Sequence, residues 1–117
     1  MDKQTQEICK TSLESFLEDY YSNPGLKFED VARHFRFSKL HGYALFKKHL
    51  GAPFGMCLRN VRLAKAREAM KNTPYSISEI AYMCGFVSLS TFSKVFKETY
   101  GDTPTTYRKK VFGVIPR

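Results

Sequence analysis

The stretch ISEIAYMCGFVSLSTFSKVFKETYGDTPTTYR, residues 77–108, decides the fold of this chain. A short helical pattern of apolar residues ends at Gly85, and a second pattern begins after Ser88. Two short helices joined by a tight, glycine-containing turn are the outline of a helix-turn-helix. Ser76 and Glu79 have the spacing of a capping box, so the first of these helices is expected to begin just after Ser76.

Residues 28–51, FEDVARHFRFSKLHGYALFKKHLG, are a diverged copy of residues 77–101. Matched residues are 49 positions apart before the turn and 50 positions apart after it. The copies therefore differ by one residue inserted in the turn, where an insertion does least harm. The matched pairs are Ala32/Ala81, Phe37/Phe86, Ser38/Ser88, Leu45/Val95, Phe46/Phe96, Lys47/Lys97 and Gly51/Gly101. The sequence predicts two helix-turn-helix units.

Apolar periodicity predicts the helices around the two copies. A first helix is expected over residues 4–21, and one long helix over residues 53–71, with a proline at its first position. A helix of that length spans roughly 28 Å. Successive major-groove faces of B-DNA lie ~34 Å apart, so two units joined in this way could read adjacent turns. The predicted fold is all-α with about seven helices, divided into a first subdomain over residues 4–52, a linking helix over 53–71 and a second subdomain over 72–112.

The positive charge of the chain is concentrated in its second half. Residues 1–58 hold 8 Lys and Arg against 7 Asp and Glu, a net of +1, whereas residues 59–117 hold 11 against 4, a net of +7. This asymmetry favours a polyanionic partner for the second half, with a merely solvated basic surface as the alternative. No apolar run reaches membrane-spanning length and the start lacks a signal-peptide core, so a cytoplasmic location is expected.

Cysteine, histidine and motif content give little support for an enzyme or a metal site. Cys9, Cys57 and Cys84 are far apart and fall within helical patterns, which favours reduced, buried thiols over a redox sensor or a disulfide framework. The three histidines are spaced by 7 and 8 residues without a cysteine at ligand spacing, so neither a metal nor another cofactor is expected. No P-loop, dinucleotide-binding or hydrolase motif occurs. A nucleophile at Cys57 or Cys84 stays open as an alternative.

Six short motifs occur in order along residues 62–108. They are RL-x-x-A (Arg62, Leu63, Ala66), EIA (79–81), GF (85–86), F-x-x-x-FK (Phe92, Phe96, Lys97), GDTP (101–104) and YR (Tyr107, Arg108). Together they resemble the AraC/XylS transcriptional regulators, over about residues 8–110. The resemblance implies a seven-helix DNA-binding domain that binds double-stranded promoter DNA in bacteria, usually to activate transcription. Arg62 matches the family's arginine and is expected to be structural, paired with a carboxylate.

The second helix of the second unit carries the main candidates for base reading. If Phe92 marks the centre of its buried side, 100° per residue places Ser90, Ser93 and Lys94 on or near the outward face. The N-terminal part of a reading helix usually meets base edges, and the resemblance implies base contacts at the matched positions. The expected base contacts are Leu89, Ser90, Thr91, Ser93 and Lys94.

Each of these side chains suits a different part of a base. Lys94 can reach guanine O6 and N7, and the hydroxyls can serve either base type. Leu89 can pack on a thymine methyl group or belong to the edge of the core. Phosphate contacts, which position a domain without reading sequence, are expected from Ser88, Lys97 and Arg108. For any one of these residues, a solvated surface position is the alternative.

The first unit departs from this pattern at two positions. Gly42 stands where the second copy has Phe92, so a core position lacks its side chain, and Leu40 or Phe35 is expected to fill the space. Arg36 takes the place of the turn glycine. These departures weaken the case for specific reading by the first unit. Its expected contacts are Lys39, His41 and Tyr43 as weak base readers, and Lys47 and Lys48 on phosphates.

The sequence thus predicts a DNA-binding transcriptional regulator, with no enzyme activity, that reads the major groove mainly through its second unit. RNA polymerase is an expected partner. No sensor region is recognisable, so an N-terminal sensor or dimerisation domain outside this sequence is a further expectation. The alternative is an interaction module of the same fold, which binds RNA polymerase or a partner regulator and has only weak, unspecific affinity for DNA.

Overall fold

The computed structural model describes residues 8–113, which form seven α-helices and no strand. In chain order the helices are α1 (Lys10–Tyr20), α2 (Phe28–Phe35), α3 (Lys39–Leu50), α4 (Phe54–Asn72), α5 (Ile77–Met83), α6 (Leu89–Tyr100) and α7 (Pro104–Tyr107). A π-helical turn over Arg108–Phe112 follows α7 directly. The predicted all-α class and number of helices are confirmed. In this part of the chain, none of the helices combines the length and the apolar character that a membrane crossing requires.

The described residues pack into two compact units that share α4. Unit 1 comprises residues 8–21 and 25–61, and unit 2 comprises residues 22–24 and 62–113. Unit 1 contains the helix pair α2 and α3, and unit 2 contains the pair α5 and α6. Each unit therefore holds one helix-turn-helix, as the duplication predicts.

Hydroxyl side chains fix where the helices begin. The Oγ atoms of Ser38 and Ser88 each accept a hydrogen bond at 3.1 Å from the amide three residues on, which caps α3 and α6. The predicted capping box of α5 is confirmed, because Ser76 Oγ accepts from the Glu79 amide at 3.0 Å and Glu79 Oε1 accepts from the Ser76 amide at 2.9 Å. Each cap satisfies an amide that the first helical turn would otherwise leave unpaired.

The two turns are closed by the same backbone hydrogen bond, but a different residue type adopts the left-handed conformation in each. Gly85 adopts φ +93° in unit 2, and Arg36 adopts φ +61° at the corresponding place in unit 1. In both turns the amide of the next phenylalanine donates to the alanine carbonyl five residues earlier, at 3.1 Å and 3.0 Å. The first turn therefore keeps its geometry without glycine, although a left-handed arginine is strained.

Aromatic rings fill the core of unit 1 around Gly42, which is itself buried. A Cβ atom on Gly42 would lie 2.4 Å from Phe37 Cε1 and 2.6 Å from Phe28 Cζ, so these two rings occupy the space of the missing side chain. The expectation that Leu40 or Phe35 fills it is wrong. Leu40 is 79 % exposed, and Phe35 stacks on the Phe37 ring with 5.8 Å between ring centroids.

Unit 2 has a complete core on the buried face of α6. Phe92 and Phe96 are fully buried, and the Phe96 ring packs edge-on against Tyr107 of α7. Arg67 of α4 donates through Nε to the Tyr107 hydroxyl at 2.7 Å and lies over the Tyr100 ring, 5.8 Å from its centroid. A guanidinium on two tyrosines thus holds α4, α6 and α7 of this unit together.

Two predicted helix starts differ from the structure. The first helix begins at Lys10, with Ile8 and Cys9 outside it, and the predicted positions 4–7 lie outside the described residues. Cys9 is exposed, so the expectation that all three thiols are buried is wrong for this one. The long helix was predicted to begin at Pro53, but α4 begins at Phe54. The Pro53 carbonyl still accepts a hydrogen bond from the Cys57 amide, and a proline can supply this acceptor from outside the helix.

Candidate nucleic-acid interface

The N-terminal half of α6 presents a polar surface above a buried aromatic core. Phe92, Val95 and Phe96 face inward, which leaves Ser90, Thr91, Lys94 and Lys97 exposed on the other side. Ser93 is half-buried at the flank, and Leu89 is 38 % exposed, which places it at the edge of the core. The structure therefore brings four of the five predicted base contacts to an accessible surface and leaves Ser93 less accessible.

Ser88 organises the start of this surface. Its Oγ accepts from the Thr91 amide at 3.1 Å and lies 3.0 Å from Thr91 Oγ. Ser88 is the cap of α6, and its hydroxyl is engaged with the first turn of the helix. The two linked hydroxyls hold Thr91 in one rotamer, so the first turn of α6 presents a fixed arrangement of donors and acceptors.

Lys94 and Lys97 are free cations. Neither has a carboxylate within ion-pair distance among residues 8–113. A lysine that forms no ion pair keeps its rotational freedom for a polyanion, and it releases a counterion when it binds a phosphate.

Arg108, predicted on a phosphate, has other partners in the structure. Its guanidinium donates to the carbonyls of Met70 at 3.2 Å, Thr73 at 2.6 Å and Tyr75 at 2.6 Å. These carbonyls lie at the end of α4 and in the segment that leads to α5, where helix-end acceptors need donors. The structure therefore gives Arg108 an internal role, since three of its five N–H donors already bind the protein, and its phosphate contact stays a prediction.

Arg62 also has an internal role, and its expected pairing with a carboxylate stays a prediction. Its Nη2 donates to the Asn23 carbonyl at 2.8 Å, and burial lowers the pKa of its guanidinium. This contact lies within unit 2 and ties the segment after α1 to α4.

The second helix of the first helix-turn-helix, α3, has a similar cap but a different surface. Ser38 caps it, and its inward side consists of Gly42, Leu45 and Phe46. All the predicted contacts of the first unit are exposed; they are Lys39, His41, Tyr43, Lys47 and Lys48. The structure thus places them on an accessible side of α3, although two of them are held by neighbours.

Lys39 and Tyr43 each have a partner on α2. Lys39 Nζ lies 3.0 Å from Glu29 Oε2, and this hydrogen bond lowers the pKa of Glu29 and raises that of Lys39. The Tyr43 ring stacks on Phe28 with 4.8 Å between ring centroids. The ion pair with Glu29 offsets the charge of Lys39, whereas Lys47 and Lys48 leave α3 with a net positive charge.

Two apolar residues at the reading helices were missed by sequence reasoning. Leu40 is 79 % exposed as the second residue of α3, and Val87 is 72 % exposed just before the cap of α6. Val87 is the residue inserted in the second turn, since Phe86 matches Phe37 and Ser88 matches Ser38. The alignment of the copies marks Val87, but the exposure of either side chain becomes visible only in the fold.

Cys57 and Cys84, the two candidate nucleophiles, are buried thiols. Burial raises the pKa of the Cys84 thiol to about 11 and raises that of Cys57 as well, which disfavours the reactive thiolate. A hydrogen bond with Ser12 lowers the pKa of the exposed Cys9 thiol. Within residues 8–113, no three His, Cys, Asp or Glu side chains come together as a metal site would require.

Two helix-turn-helix units, each with a capped reading helix and exposed polar or basic side chains, define a tandem helix-turn-helix DNA-binding domain. A family model described as a helix-turn-helix domain matches residues 31–110. The chain belongs to this family, the AraC type of transcriptional regulators, which confirms the resemblance seen in the sequence. It is therefore the non-enzymatic DNA-binding domain of a transcriptional regulator.

Individual relatives agree with this assignment. The chain is 38 % identical to the regulatory protein PocR of Salmonella typhimurium over 93 residues, which are 80 % of this chain and 31 % of PocR. It is 34 % identical to the probable transcription factor PqrA of Proteus vulgaris, over 80 % of this chain and 75 % of PqrA. The C-terminal domain of AraT, a response regulator from Geobacillus stearothermophilus, superposes with a TM-score of 0.81 at 29 % identity, covering 86 % of this chain and 84 % of that domain. The chain thus spans about a third of PocR and three quarters of PqrA.

Proposed function

We propose that this chain binds promoter DNA sequence-specifically, with α6 as its main reader in the major groove, and activates transcription with RNA polymerase in the bacterial cytoplasm. One observation carries the proposal. The first two turns of α6 present Ser90, Thr91 and the unpaired Lys94 together on a surface fixed from below by Phe92 and Phe96. Rigid support beneath a polar helix face suits direct reading of base edges.

Base reading and phosphate binding are assigned to different parts of this surface. Ser90, Thr91 and Lys94 lie in the N-terminal half of α6, the part of a reading helix that meets base edges. Lys97 lies a turn further on, and Lys47 and Lys48 lie near the C-terminal end of α3, where they suit phosphates. Phosphate contacts give affinity that falls with salt, and base contacts give the preference for one sequence.

Selection of bound duplexes from a random pool tests the proposal, followed by binding of the selected and a scrambled duplex over a salt series. The selected duplex should bind more tightly at every salt concentration. Lys94→Ala should lose about 1–3 kcal/mol of binding free energy and should relax the preference at one base pair. Lys97→Ala, the matched control on the same helix, should weaken both duplexes alike and reduce the salt slope by about 1. Equal affinity for both duplexes throughout the series would refute sequence-specific binding.

Activation is tested separately. Transcription by purified RNA polymerase should rise when the selected duplex is placed upstream of a weak promoter and the chain is added. A fall in transcription would identify a repressor instead and leave the DNA-binding part of the proposal intact.

The second candidate function is an interaction module with only weak affinity for DNA. The pairing of Lys39 with Glu29 and the stacking of Tyr43 on Phe28 favour it for unit 1, because they withdraw two predicted DNA contacts. This candidate predicts capture of RNA polymerase in the absence of DNA. Protection of one defined duplex segment from nuclease digestion would exclude it.

A further inference from the structure

The two most exposed large apolar side chains of residues 8–113 lie near the N-terminal ends of α3 and α6, one in each unit. Leu40, at 79 %, is the second residue of α3, and Val87, at 72 %, immediately precedes the cap of α6. Every other large apolar side chain in the described chain is at most 56 % exposed. Single exposed apolar residues are common on proteins, but the placement of these two at the N-terminal ends of both reading helices links them to the proposed interface.

The local structure directs both side chains outward. In α3, the inward positions belong to Gly42, Leu45 and Phe46, and Leu40 matches the exposed Ser90 of α6 in the alignment of the copies. In the second turn, Val87 lies between the buried Phe86 and the capping residue. Because Val87 is the extra residue of that turn, it occupies no core position, and its isopropyl group is exposed to water.

We propose that Leu40 and Val87 are specificity-determining residues, each of which packs on the C5-methyl group of a thymine. The inference rests on the proposed function. The thymine methyl is the apolar group that the major groove offers, and aliphatic side chains contact it favourably because both surfaces leave water. The neighbouring side chains are polar groups that suit DNA, such as His41 beside Leu40 and Ser88 beside Val87.

Uracil in place of thymine tests this contact, since it removes only the methyl group. Each thymine of the selected duplex is replaced in turn by deoxyuridine, and binding is measured for the wild-type chain, Leu40→Ala and Val87→Ala. In the wild type, uracil at the contacted thymines should weaken binding about three- to fivefold, the value of one buried methyl group. In Leu40→Ala the penalty at one thymine should disappear while the others persist, and Val87→Ala should do the same at a different thymine.

Two matched variants control for general effects. Val111→Ala makes the same change at a half-exposed valine of the π-helical turn, and Met56→Ala truncates an exposed apolar side chain of α4. Both should keep every uracil penalty. Circular dichroism should show unchanged helix content in all four variants, since each position is exposed.

The outcomes separate this inference from the proposed function. A wild-type chain that binds the selected and scrambled duplexes equally would refute the proposed function and this inference with it. A wild-type chain that prefers the selected duplex, with uracil penalties that neither Leu40→Ala nor Val87→Ala changes, would overturn this inference alone. That second result is also the one expected if these side chains dock a protein partner.

Discussion

Replacement of Gly42 by alanine should destabilise unit 1, although the same change stabilises most helices. The new Cβ would lie 2.4 Å from Phe37 Cε1, 2.6 Å from Phe28 Cζ and 2.9 Å from Phe37 Cδ1. Ordinary van der Waals contact begins near 3.4 Å, so the Phe37 ring would have to withdraw by about 1 Å.

The rings around Gly42 have little space for that movement. The Phe37 side chain is 7 % exposed and stacks against Phe28 and Phe35, with centroids 6.2 Å and 5.8 Å away. Phe28 is in turn packed against Phe46 and Phe54. Overpacking of a core costs about 1–3 kcal/mol, whereas alanine gains about 1 kcal/mol over glycine in a helix. The expected net loss of unfolding free energy is therefore about 1 kcal/mol.

Urea unfolding followed by circular dichroism measures this difference, with Gly55→Ala as the matched control. Gly55 lies in the first turn of α4, and no heavy atom lies within 4 Å of the position that its Cβ would take. Gly55→Ala should raise the urea midpoint, and Gly42→Ala should lower it. If Gly42→Ala is as stable as Gly55→Ala, the rings move freely and the packing argument is refuted.

Two further predictions concern unit 2. Arg108→Ala should lose about 1.5–3 kcal/mol of unfolding free energy. Arg108→Lys should recover only part of this loss, because an ammonium group lacks the planar fork that reaches three carbonyls. Unchanged stability together with a smaller salt slope of DNA binding would instead indicate that Arg108 contacts a phosphate. At pH 8 a thiol reagent should label the exposed Cys9 faster than Cys84, whose pKa burial raises to about 11. Equal labelling rates would contradict the burial of Cys84. The raised pKa of Cys84 favours the folded state below pH 9, and this contribution to the unfolding free energy is lost as the pH rises from 9 towards 11. The unfolding free energy of Cys84→Ala should therefore fall less steeply over this pH range.

Local patterns in the sequence predicted most of the fold. The capping box at Ser76 and Glu79 follows from two residue types three positions apart, and the apolar spacing of α6 fixes which of its faces is buried. These features depend on periodicity and on hydrogen bonds within one turn, so they are visible without tertiary structure. Because residues 28–51 are a diverged copy of residues 77–101, the pattern of the second unit also predicted the helices of the first.

Contacts between distant parts of the chain could not be predicted in this way. The carbonyl partners of Arg108 are 33 to 38 residues away, and nothing in a basic C-terminal motif distinguishes a helix-end donor from a phosphate ligand. The pairing of Lys39 with Glu29 likewise depends on how α3 packs on α2. Long, flexible cations take whichever acceptor the fold brings near, so their roles are the least predictable part of the candidate site.

The glycine at position 42 is better understood as one half of an exchange between the two copies. At the 49-residue offset, Phe28 of unit 1 corresponds to Ile77 of unit 2, whereas Gly42 corresponds to Phe92 at the 50-residue offset. In unit 2 the ring comes from the reading helix, and Phe92 is fully buried. In unit 1 the ring comes from the start of α2, and Phe28 Cζ reaches the space above Gly42. A ring from α2 thus takes part of the space that a ring from α6 fills in unit 2. Phe28 and Gly42 together are smaller than Ile77 and Phe92, and Phe37 supplies the atom nearest to the missing Cβ. The expectation of weaker base reading by α3 therefore rests on its outward residues and on the pairing of Lys39, and not on a defective core.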